Sequence, residues 1–577
     1  MTLSRSILTG PTWLRGPALV PSVWLVPSAW VACLVLSGCG GGFTSQSSGS
    51  SGGGGSPVSV QVSSTNPAST PPCSNVPSGS GETATSGSGI QPQVAVIPSG
   101  NVVGVWEQDR WSGGGSVPGG LGAKAIATAH SSDGGTTWST PVVLPFSACF
   151  GSSGSNSYDR GSDPWVSFAG SGAVVASALA FSAVGTASGT ASPNAVSAVL
   201  ASRSTDGGVT WSSPAAAVML DTNPSNASNT YFFNDRDSIT ADPASGNVYL
   251  VWDRLSTGVN ASNPAWLAIS SDGGATWPTT GTGAARVLYD PGASNEAFNN
   301  EIAILPSGTV LDFFTLLASG KSTLQVISST DRGVTWSTSP PVTVATITSV
   351  GTTNPIPSAD NPTPIRDSSM MAQIAVDPAS GAVAAVWQQS FTSSSFDGIA
   401  LSISTDGGKT WSAMKQVNGA TTAAAFSPTV RYLPGSVLAI TYYDLRNYTA
   451  GSTVLSTGFW LSESSDSGAT WHELRQQSPF DLNKAPLADS NFGQALFLGD
   501  NQGLALVGSN PLPLYAATNS SGAHVYATQS PSPLTSSTAH VYTAAAALRP
   551  VPAAAAMRAA ANVERMLRRG GAAPGPR

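Results

Sequence analysis

The sequence predicts an all-β repeat protein assembled from antiparallel hairpins. Only 10% of the 577 residues are charged, whereas Gly contributes 62 residues and Pro 42. Few charges together with many turn-forming residues are typical of proteins with many short hairpins. In addition, an eight-residue pattern, Ser-x-Asp-x-Gly-x-Thr-Trp, recurs six times. Because the chain is too long for one ordinary compact core, we expect either several domains or one large repeat fold.

The composition argues against one class of function. The formal net charge is −7, so no basic face is available to neutralise phosphates, and we expect no general binding of nucleic acid. The four histidines are scattered without the spacing of zinc or haem ligands. We expect no cofactor and a monomeric protein.

The first 56 residues are typical of an exported and anchored protein. Residues 1–38 combine early arginines with an apolar stretch and predict a signal peptide rather than a membrane-spanning helix. The stretch ends in Leu36-Ser37-Gly38-Cys39, which resembles the bacterial lipobox, where the cysteine is lipidated and becomes the first residue of the mature protein. Residues 39–56 are mostly Gly and Ser, the composition of a flexible tether. We therefore expect a cell-envelope protein anchored through Cys39; the alternative is a chance cysteine behind an ordinary signal peptide.

Two further cysteines, Cys73 and Cys149, lie outside the export region. In an oxidising compartment they could form a disulfide. Two unpaired buried thiols are the alternative, because the sequence does not give their distance.

Each copy of the eight-residue pattern predicts a hairpin turn with its own packing anchor. Asp followed by Gly is a tight-turn signal, since the carboxylate accepts hydrogen bonds from backbone N–H groups of the turn. Gly at the fifth position permits positive φ. Thr-Trp then restarts a strand, and the buried Trp contributes about 3–5 kcal/mol, judged from the cost of truncating large aromatics. The copies lie at 131–138, 204–211, 270–277, 329–336, 404–411 and 464–471.

This pattern is that of the aspartate-box, or BNR, repeat. The region from about 91 to 530 resembles the sialidase superfamily of β-propellers. In that family, the box joins the third and fourth strands of a blade on the face away from the active site. The resemblance therefore implies a structural role for the box aspartates Asp133, Asp206, Asp272, Asp331, Asp406 and Asp466.

A second pattern, a strand–turn–strand hairpin before each box, gives the number of blades. The sequence contains seven such hairpins but six boxes. No box follows the seventh hairpin, which begins near Gln494. Residues 58–62 alternate as an isolated strand that can complete the last blade and remove exposed sheet edges. We therefore predict a sialidase-like propeller over 57–530 with seven four-stranded antiparallel blades. Six blades, as in catalytic sialidases of the family, are the alternative.

The remaining residues, 531–577, are rich in Pro and Ala. We expect a poorly ordered tail, with a short helix over 553–569 as the alternative. The four arginines of residues 553–569 could make a weak contact with an anionic membrane surface.

Charged residues concentrate where a binding site is expected. If the box turns and the first-hairpin turns share one face, the opposite face collects the ends of second strands and the segments that lead into first strands. Convergent Arg and Asp side chains there could bind an anionic sugar or a metal such as Ca²⁺, and salt bridges that tie neighbouring blades together are the alternative. Six of the eleven arginines between 91 and 505 fall in these places, namely Arg110, Arg160, Arg236, Arg254, Arg366 and Arg446.

The family resemblance implies roles for individual residues. Family sialidases hold the sugar carboxylate with three arginines, use an Asp as acid/base, and use a Tyr activated by a Glu as nucleophile. The candidates for the clamp are Arg160, Arg236 and Arg366, and Arg254 and Arg446 are further candidates for substrate binding. The catalytic candidates are Asp109 as acid/base and Tyr443 as nucleophile, with Glu296 or Glu301 as its partner.

The sequence departs from the family at the first arginine. The family places it in an Arg-Ile-Pro stretch that opens the first blade, whereas residues 90–94 here are Ile-Gln-Pro-Gln-Val. Because a fold does not imply an activity, we predict a surface module that binds glycan or protein through its polar face without sialidase catalysis. An exo-α-sialidase is the first alternative. Another glycosidase on the same scaffold, with a carboxylate pair such as Asp235 and Asp253, is the second.

Overall fold

The computed structural model describes most of the chain after residue 56. The chain divides into Met1–Gly52 and Gly53–Arg577, and all described residues belong to the second part. The predicted signal peptide, Cys39 and the tether lie outside the described residues. The structure describes residues 57–64, 73, 83–112, 122–150, 158–170, 172–182, 196–213, 215–223, 230–257, 260–356, 363–392, 395–490, 493–544 and 551–569.

The described strands form seven four-stranded antiparallel sets, called units 1 to 7 in chain order. Units 1 and 2 consist of Gly89–Val96, Val102–Ser112, Ala123–Ser131 and Val142–Val143, and of Arg160–Gly170, Ala173–Ser182, Val196–Ser204 and Ala216–Thr222. Units 3 and 4 consist of Phe232–Asp242, Asn247–Ser256, Ala265–Ser270 and Arg286–Tyr289, and of Glu296–Ile304, Val310–Ala318, Lys321–Ser329 and Val342–Ile347. Units 5 and 6 consist of Ala372–Val376, Val383–Gln389, Gly398–Ser404 and Lys415–Gln416, and of Ala425–Leu433, Val437–Asp444, Ser456–Ser464 and Thr470–Arg475. Unit 7 consists of Gly503–Val507, Asn510–Asn519, Gly522–Gln529 and the N-terminal strand Val58–Gln61.

Several short elements decorate these units. Thr83–Ala84 pairs with unit 1, Phe480–Asp481 pairs with unit 6, and His540–Thr543 adds a fifth strand to the outer edge of unit 6. A separate three-stranded sheet consists of Ile365–Arg366, Gly493–Phe497 and Leu487–Ser490. The helices are 3₁₀ turns at Ala148–Phe150 and Leu482–Lys484, and an α-helix, α1, at Ala553–Arg569. None of the described helices has the length and apolar character needed to cross a membrane.

Apolar side chains on both faces of each unit join it to its two neighbours. Alternate residues of a strand point to opposite faces, so strands packed on both sides are apolar throughout. Separate buried clusters join each unit to the next one along the chain. A further cluster joins unit 7 to unit 1, with Leu514 and Val525 packed against Val102 and Trp106. The all-β fold of four-stranded antiparallel sheets is confirmed. That these seven units are the seven predicted blades of a propeller stays a prediction.

The eight-residue boxes form tight turns through their own side chains. In the first box, Oδ1 of Asp133 accepts a hydrogen bond from the Thr137 N–H at 2.8 Å, and Oδ2 accepts one from the Thr137 hydroxyl at 2.6 Å. The Trp138 indole donates to the carbonyl of Gly135 at 3.1 Å. These hydrogen bonds lower the pKa of Asp133 to about 2. The carboxylate is therefore committed to the turn.

The box turns and the first-hairpin turns lie on one face, as the sequence analysis assumed. In unit 3, the N–H of Gly273 in the box donates to the carbonyl of Gly246 in the first-hairpin turn at 2.8 Å. We call this side the box face. Second strands end and first strands begin on the other side, which we call the arginine face. The first strands of all seven units line a central cavity of about 830 Å³ that reaches the box face at Pro243 and Ser307.

Two segments outside the units are held in place by specific contacts. Cys73 and Cys149 form a disulfide. Of the two alternatives that the sequence left open, the structure therefore contains the disulfide and not two unpaired thiols. Helix α1 covers the segment for which a short helix was the alternative to a poorly ordered tail. Its Ala-rich sequence has a high intrinsic helix propensity, and Ala555, Ala559 and Val563 are buried along one side of it.

Candidate functional site

A left-handed residue marks the start of the first strand in every unit. In units 1, 2, 3, 4 and 6, a register shift interrupts the first strand at this point. Such bulges re-aim side chains, and the left-handed conformation costs a non-glycine residue about 1–2 kcal/mol. The residues are Gln91 (φ 53°), Asp163 (50°), Arg236 (54°), Asn299 (57°), Met370 (67°), Ser427 (50°) and Gly499 (118°). One such residue from each unit thus lies at the arginine face.

Unit 7 requires glycine at this position because unit 1 approaches it closely. A Cβ at Gly499 would lie 2.4 Å from the Cα of Gln91, and Gly499 has a φ of 118°, which side chains rarely tolerate. The N–H of Gln91 donates to the carbonyl of Leu498 at 3.0 Å. This contact fixes the residue that follows, Asp500, at the arginine face.

Two of the predicted clamp arginines meet at Asp500. Nη1 of Arg236 lies 2.6 Å from Oδ2 of Asp500, and Nη2 of Arg366 lies 2.6 Å from the same oxygen. Nε of Arg366 also donates to Oδ1 at 3.2 Å. Arg236 comes from unit 3, Arg366 from the segment before unit 5, and Asp500 from the segment before unit 7. We call these three residues the arginine–aspartate triad.

The triad is buried, and its carboxylate is held by both arginines. Asp500 is only 1% exposed. Burial acts to raise the pKa of Asp500, but the guanidinium groups of Arg236 and Arg366 outweigh it and hold the pKa at about 2. Aromatic rings cover the arginines, since the Cζ of Arg236 lies 5.2 Å from the ring centre of Phe298 and the Cζ of Arg366 lies 4.4 Å from that of Phe497.

Further carboxylates surround the triad. Asp163, Asp237 and Glu301 line a cavity of about 10 Å³ together with Arg236, enough for about one water molecule. Burial raises the pKa of Asp237 well above its usual range, which favours the protonated form of this carboxyl. No group of three or more His, Cys, Asp or Glu side chains within the described ranges could hold a metal ion, and that part of the chain offers no such set for the Ca²⁺ left open by the sequence.

Helix α1 packs beside the triad. Val563 is buried in a cluster with Phe298 and Met371. The same two side chains contact the triad, because the Sδ of Met371 lies 3.4 Å from Nη1 of Arg236 and Phe298 lies under its guanidinium. The helix therefore borders the arginine face at this point.

The other three predicted arginines do not join the triad. Arg160 is fully buried with its Cζ 5.0 Å from the ring centre of Trp111. Nε of Arg254 lies 2.9 Å from Asp221, a salt bridge between units 3 and 2. Arg446 pairs with Asp444 and Glu473 inside unit 6. For Arg254, the structure therefore shows the predicted kind of salt bridge between neighbouring units, with 14% of its side chain still exposed.

The predicted nucleophile is not at the site. Tyr443 is fully buried between Phe426 and Phe459. Its hydroxyl lies 2.8 Å from Oε1 of Gln502 and 2.7 Å from the carbonyl of Ala516. Burial raises the pKa of Tyr443 well above its usual range, which opposes formation of a phenolate. The assignment is corrected because strand alternation turns this side chain into the core between units 6 and 7.

The predicted acid/base, Asp109, holds a turn. It has a φ of 60° and is 2% exposed. Its Oδ1 accepts hydrogen bonds from the N–H of Gly87 at 2.9 Å and from Nε2 of Gln108 at 3.0 Å. The carboxylate therefore fixes the approach to unit 1 and does not face the triad.

The two predicted glutamates are separated from Tyr443 and from each other. Glu296 lies near Asp253, whose pKa is raised well above its usual range by burial and then by the charge of Glu296. Asp253 is fully buried and accepts hydrogen bonds from the N–H of Asn299 at 2.9 Å and from the Asn300 amide, so the suggested Asp235–Asp253 pair includes a carboxyl committed to the joint between units 3 and 4. Glu301 lies at the inner end of the central cavity.

With the fold and the site described, a comparison with known families is informative. Residues 265–524 match the family model described as a BNR repeat-like domain. The match runs from unit 3 into unit 7, and the predicted relation to the sialidase-superfamily BNR repeat fold is confirmed. A search of curated proteins gives no match to the chain.

Several solved structures are similar to this chain at low identity. A Hadza microbial sialidase is 16% identical, with a TM-score of 0.39 over 62% of this chain and 63% of that chain. An α-L-arabinofuranosidase of Fusarium graminearum is 14% identical, with a TM-score of 0.39 over 68% of this chain and 93% of that chain. A sialidase of Trypanosoma rangeli, in complex with sialic acid, is 12% identical, with a TM-score of 0.37 over 78% of this chain and 55% of that chain. The chain thus matches less than two thirds of the length of either sialidase, and no activity is inferred from these similarities.

The residue that sequence reasoning missed is Asp500. The signal was present, because Pro92, Pro164 and Pro428 follow the left-handed residues of units 1, 2 and 6, and proline inside a strand marks a bulge, an edge strand or a strand start. Superposing the first strands on these prolines places Gly499-Asp500 at the equivalent point of unit 7. The arrangement can hold one carboxylate between two arginines. In this chain, Asp500 supplies that carboxylate.

Proposed function

We propose that the protein is a surface module that binds glycan or protein through its arginine face and does not hydrolyse sialosides. The pairing of Arg236 and Arg366 with Asp500 carries this proposal. An exo-sialidase uses such arginines to hold the carboxylate of its substrate. Here an internal carboxylate occupies them, and Tyr443 lies in the core. Both observations support a function without sialidase catalysis.

Arginines outside the triad support ligand binding at the same face. The guanidinium of Arg254 stacks on Trp266 at 4.8 Å, and that of Arg446 stacks on Trp460 at 3.8 Å, each measured from Cζ to the ring centre. Both arginines keep part of their side chain in solvent, 14% and 19% respectively. Arg and Trp are the residue types that contribute most to binding at protein interfaces, so these pairs are the contacts we assign to a ligand.

The catalytic part of the proposal is tested with a fluorogenic sialoside. Protein lacking residues 1–56 should release no more fluorophore than the heat-denatured protein, and Tyr443→Phe should leave that result unchanged. Turnover by the wild type that disappears in Arg236→Gln would overturn the proposal. Binding is checked on an array of immobilised glycans, where Arg446→Ala should weaken any retained signal. An array without signal leaves protein as the ligand to be tested.

The anchor at Cys39 is part of the same proposal. Leu36-Ser37-Gly38-Cys39 and the Gly/Ser stretch after it support lipidation followed by a spacer. Replacing Cys39 by Ser should move the protein from the membrane fraction to the soluble fraction of the producing bacterium, because a lipid anchor supplies about 0.8 kcal/mol for each buried CH₂ group. Fractionation followed by immunoblotting measures this. Membrane retention of Cys39→Ser that matches wild type would contradict the anchor.

A further inference from the structure

The central cavity is large enough to hold a small molecule. Its volume of about 830 Å³ lies within the range of about 300–1,000 Å³ that is typical of ligand pockets. Trp165, Glu301 and Gln373 line both this cavity and the water-sized cavity beside the triad, so they separate the two. The cavity therefore has its inner end beneath the triad and reaches the protein surface on the box face.

Arg431 projects into this cavity from the first strand of unit 6. It is solvent-exposed although protein surrounds it, because its exposed surface faces the cavity. None of the described residues forms a hydrogen bond or an ion pair with its guanidinium. Burial lowers the pKa of Arg431, so a guanidinium in this position gains from an anionic partner.

Glu301 lies at the inner end of the same cavity, and one of its carboxyl oxygens makes no hydrogen bond to a described residue. Its Oε2 is buried and has no hydrogen-bond partner among the described residues. Burial raises the pKa of Glu301 to about 8, against the lowering effects of the Ile374 N–H and of Arg431. The side chain is therefore a neutral carboxylic acid at pH 7, able to donate one O–H hydrogen bond. The other charged groups that line the two cavities near Glu301 are Asp163, Arg236 and Asp237.

The remaining wall combines aliphatic and polar side chains in about equal parts. Half-buried aliphatic side chains from four units line it, namely Val94, Val96, Ile304, Val376 and Leu506. Toward the box face, Arg332 adds a second cation, and the carboxylate of Asp242 accepts hydrogen bonds from Ala244 and Ser245 in its own turn. The inner end of the cavity thus offers aliphatic side chains, the guanidinium of Arg431 and one carboxylic acid donor, and Arg332 lies toward the box face.

We propose that the central cavity is a binding site for a small organic carboxylate, entered from the box face. Its carboxylate accepts hydrogen bonds from Arg431 and from the acid form of Glu301, and its apolar body packs against the aliphatic walls. A single negative charge fits one guanidinium and one neutral donor, whereas a phosphate dianion would need further cations. The site opens on the side of the fold opposite the arginine face and does not depend on the function proposed above.

The test uses the full chain and 2-naphthoate as probe, with uncharged 2-naphthamide as its comparison. Saturation-transfer NMR should show naphthoate binding at pH 6.5 and at least tenfold weaker binding of the amide. Arg431→Gln should weaken naphthoate binding at least tenfold, while Arg475→Gln, which removes an exposed arginine from the outer strand of unit 6, should change it less than twofold. Equal binding of acid and amide, no binding of naphthoate, or equal effects of the two substitutions would overturn the proposal.

The pH dependence separates this site from any other anion site. Naphthoate binding to the wild type should weaken at least fivefold between pH 6.5 and pH 9, because ionised Glu301 repels a carboxylate and loses its donor. In Glu301→Gln, the ratio of the two affinities should fall below two, since glutamine does not titrate. The same pH dependence in the variant and the wild type would contradict the role of Glu301. Thermal melting of each variant confirms that the comparison is made on folded protein.

Discussion

Replacing Asp500 by Asn should destabilise the protein by about 3–5 kcal/mol, the usual cost of removing one partner from a buried ion pair. The substitution leaves Arg236 and Arg366 side by side without their shared carboxylate. The measurement is the free energy of unfolding in urea at pH 7. Asp290→Asn, at an exposed position of a surface turn, is the matched control and should cost less than about 0.5 kcal/mol.

The pH dependence of this variant identifies the cause. The pKa of Asp500 is lowered to about 2 in the folded protein, so its stabilising contribution is complete above the unfolded pKa of about 4 and disappears as the pH falls toward 2. The difference between wild type and Asp500→Asn should therefore shrink between pH 5 and pH 2. Acetate, which supplies a carboxylate, should raise the melting temperature of the variant more than that of wild type. A constant difference over this pH range would exclude the ion triad as the cause.

The second large effect is a stabilisation at Asp312. This side chain is fully buried in the second strand of unit 4, paired across the sheet with Ile302 and Ile327. Neither oxygen has a hydrogen-bond partner among the described residues, and burial raises the pKa of Asp312 well above its usual range. Asp312→Asn should therefore raise the free energy of unfolding near pH 8 by about 1–3 kcal/mol, because the amide does not ionise and each unit by which a pKa is shifted corresponds to about 1.4 kcal/mol.

The sign of this effect follows from proton linkage. A raised folded-state pKa favours the fold at low pH, and that advantage is lost as the pH rises above the unfolded pKa of about 4. Wild type and Asp312→Asn should therefore be similar at pH 4 and diverge as the pH increases. Urea denaturation at pH 4, 6 and 8 measures the divergence. A difference that does not grow with pH would show that ionisation of Asp312 is not what destabilises the wild type.

The sequence predicted the sheets and turns because their signals are local. The box spacing, the Asp-Gly turns and the alternation of residues 58–62 can each be recognised from neighbouring residues alone. The expected pairing of Val58–Gln61 with Gly522–Gln529 is present. The clustering of arginines at strand ends also came from local reading, and it identified Arg236 and Arg366.

The details of the site depended on contacts between distant units. Tyr442 and Tyr443 are adjacent and both fully buried, because strands of a unit pack against neighbours on both faces, and the pattern alone gives no signal for which tyrosine points toward which neighbour. Asp500 meets Arg236 only because Gly499 lets unit 7 approach unit 1. No local pattern around Arg236 indicates a partner that lies 264 residues away.

The central claim is that Asp500 occupies the place of an external carboxylate at Arg236 and Arg366. The most direct test is saturation-transfer NMR of N-acetylneuraminate with the wild-type protein, repeated with Arg366→Gln. We expect that N-acetylneuraminate does not bind to the wild type through Arg366, so that the wild type and Arg366→Gln give the same result. Binding of N-acetylneuraminate to the wild type that Arg366→Gln abolishes would show that the arginines are available to a ligand, and would contradict the account.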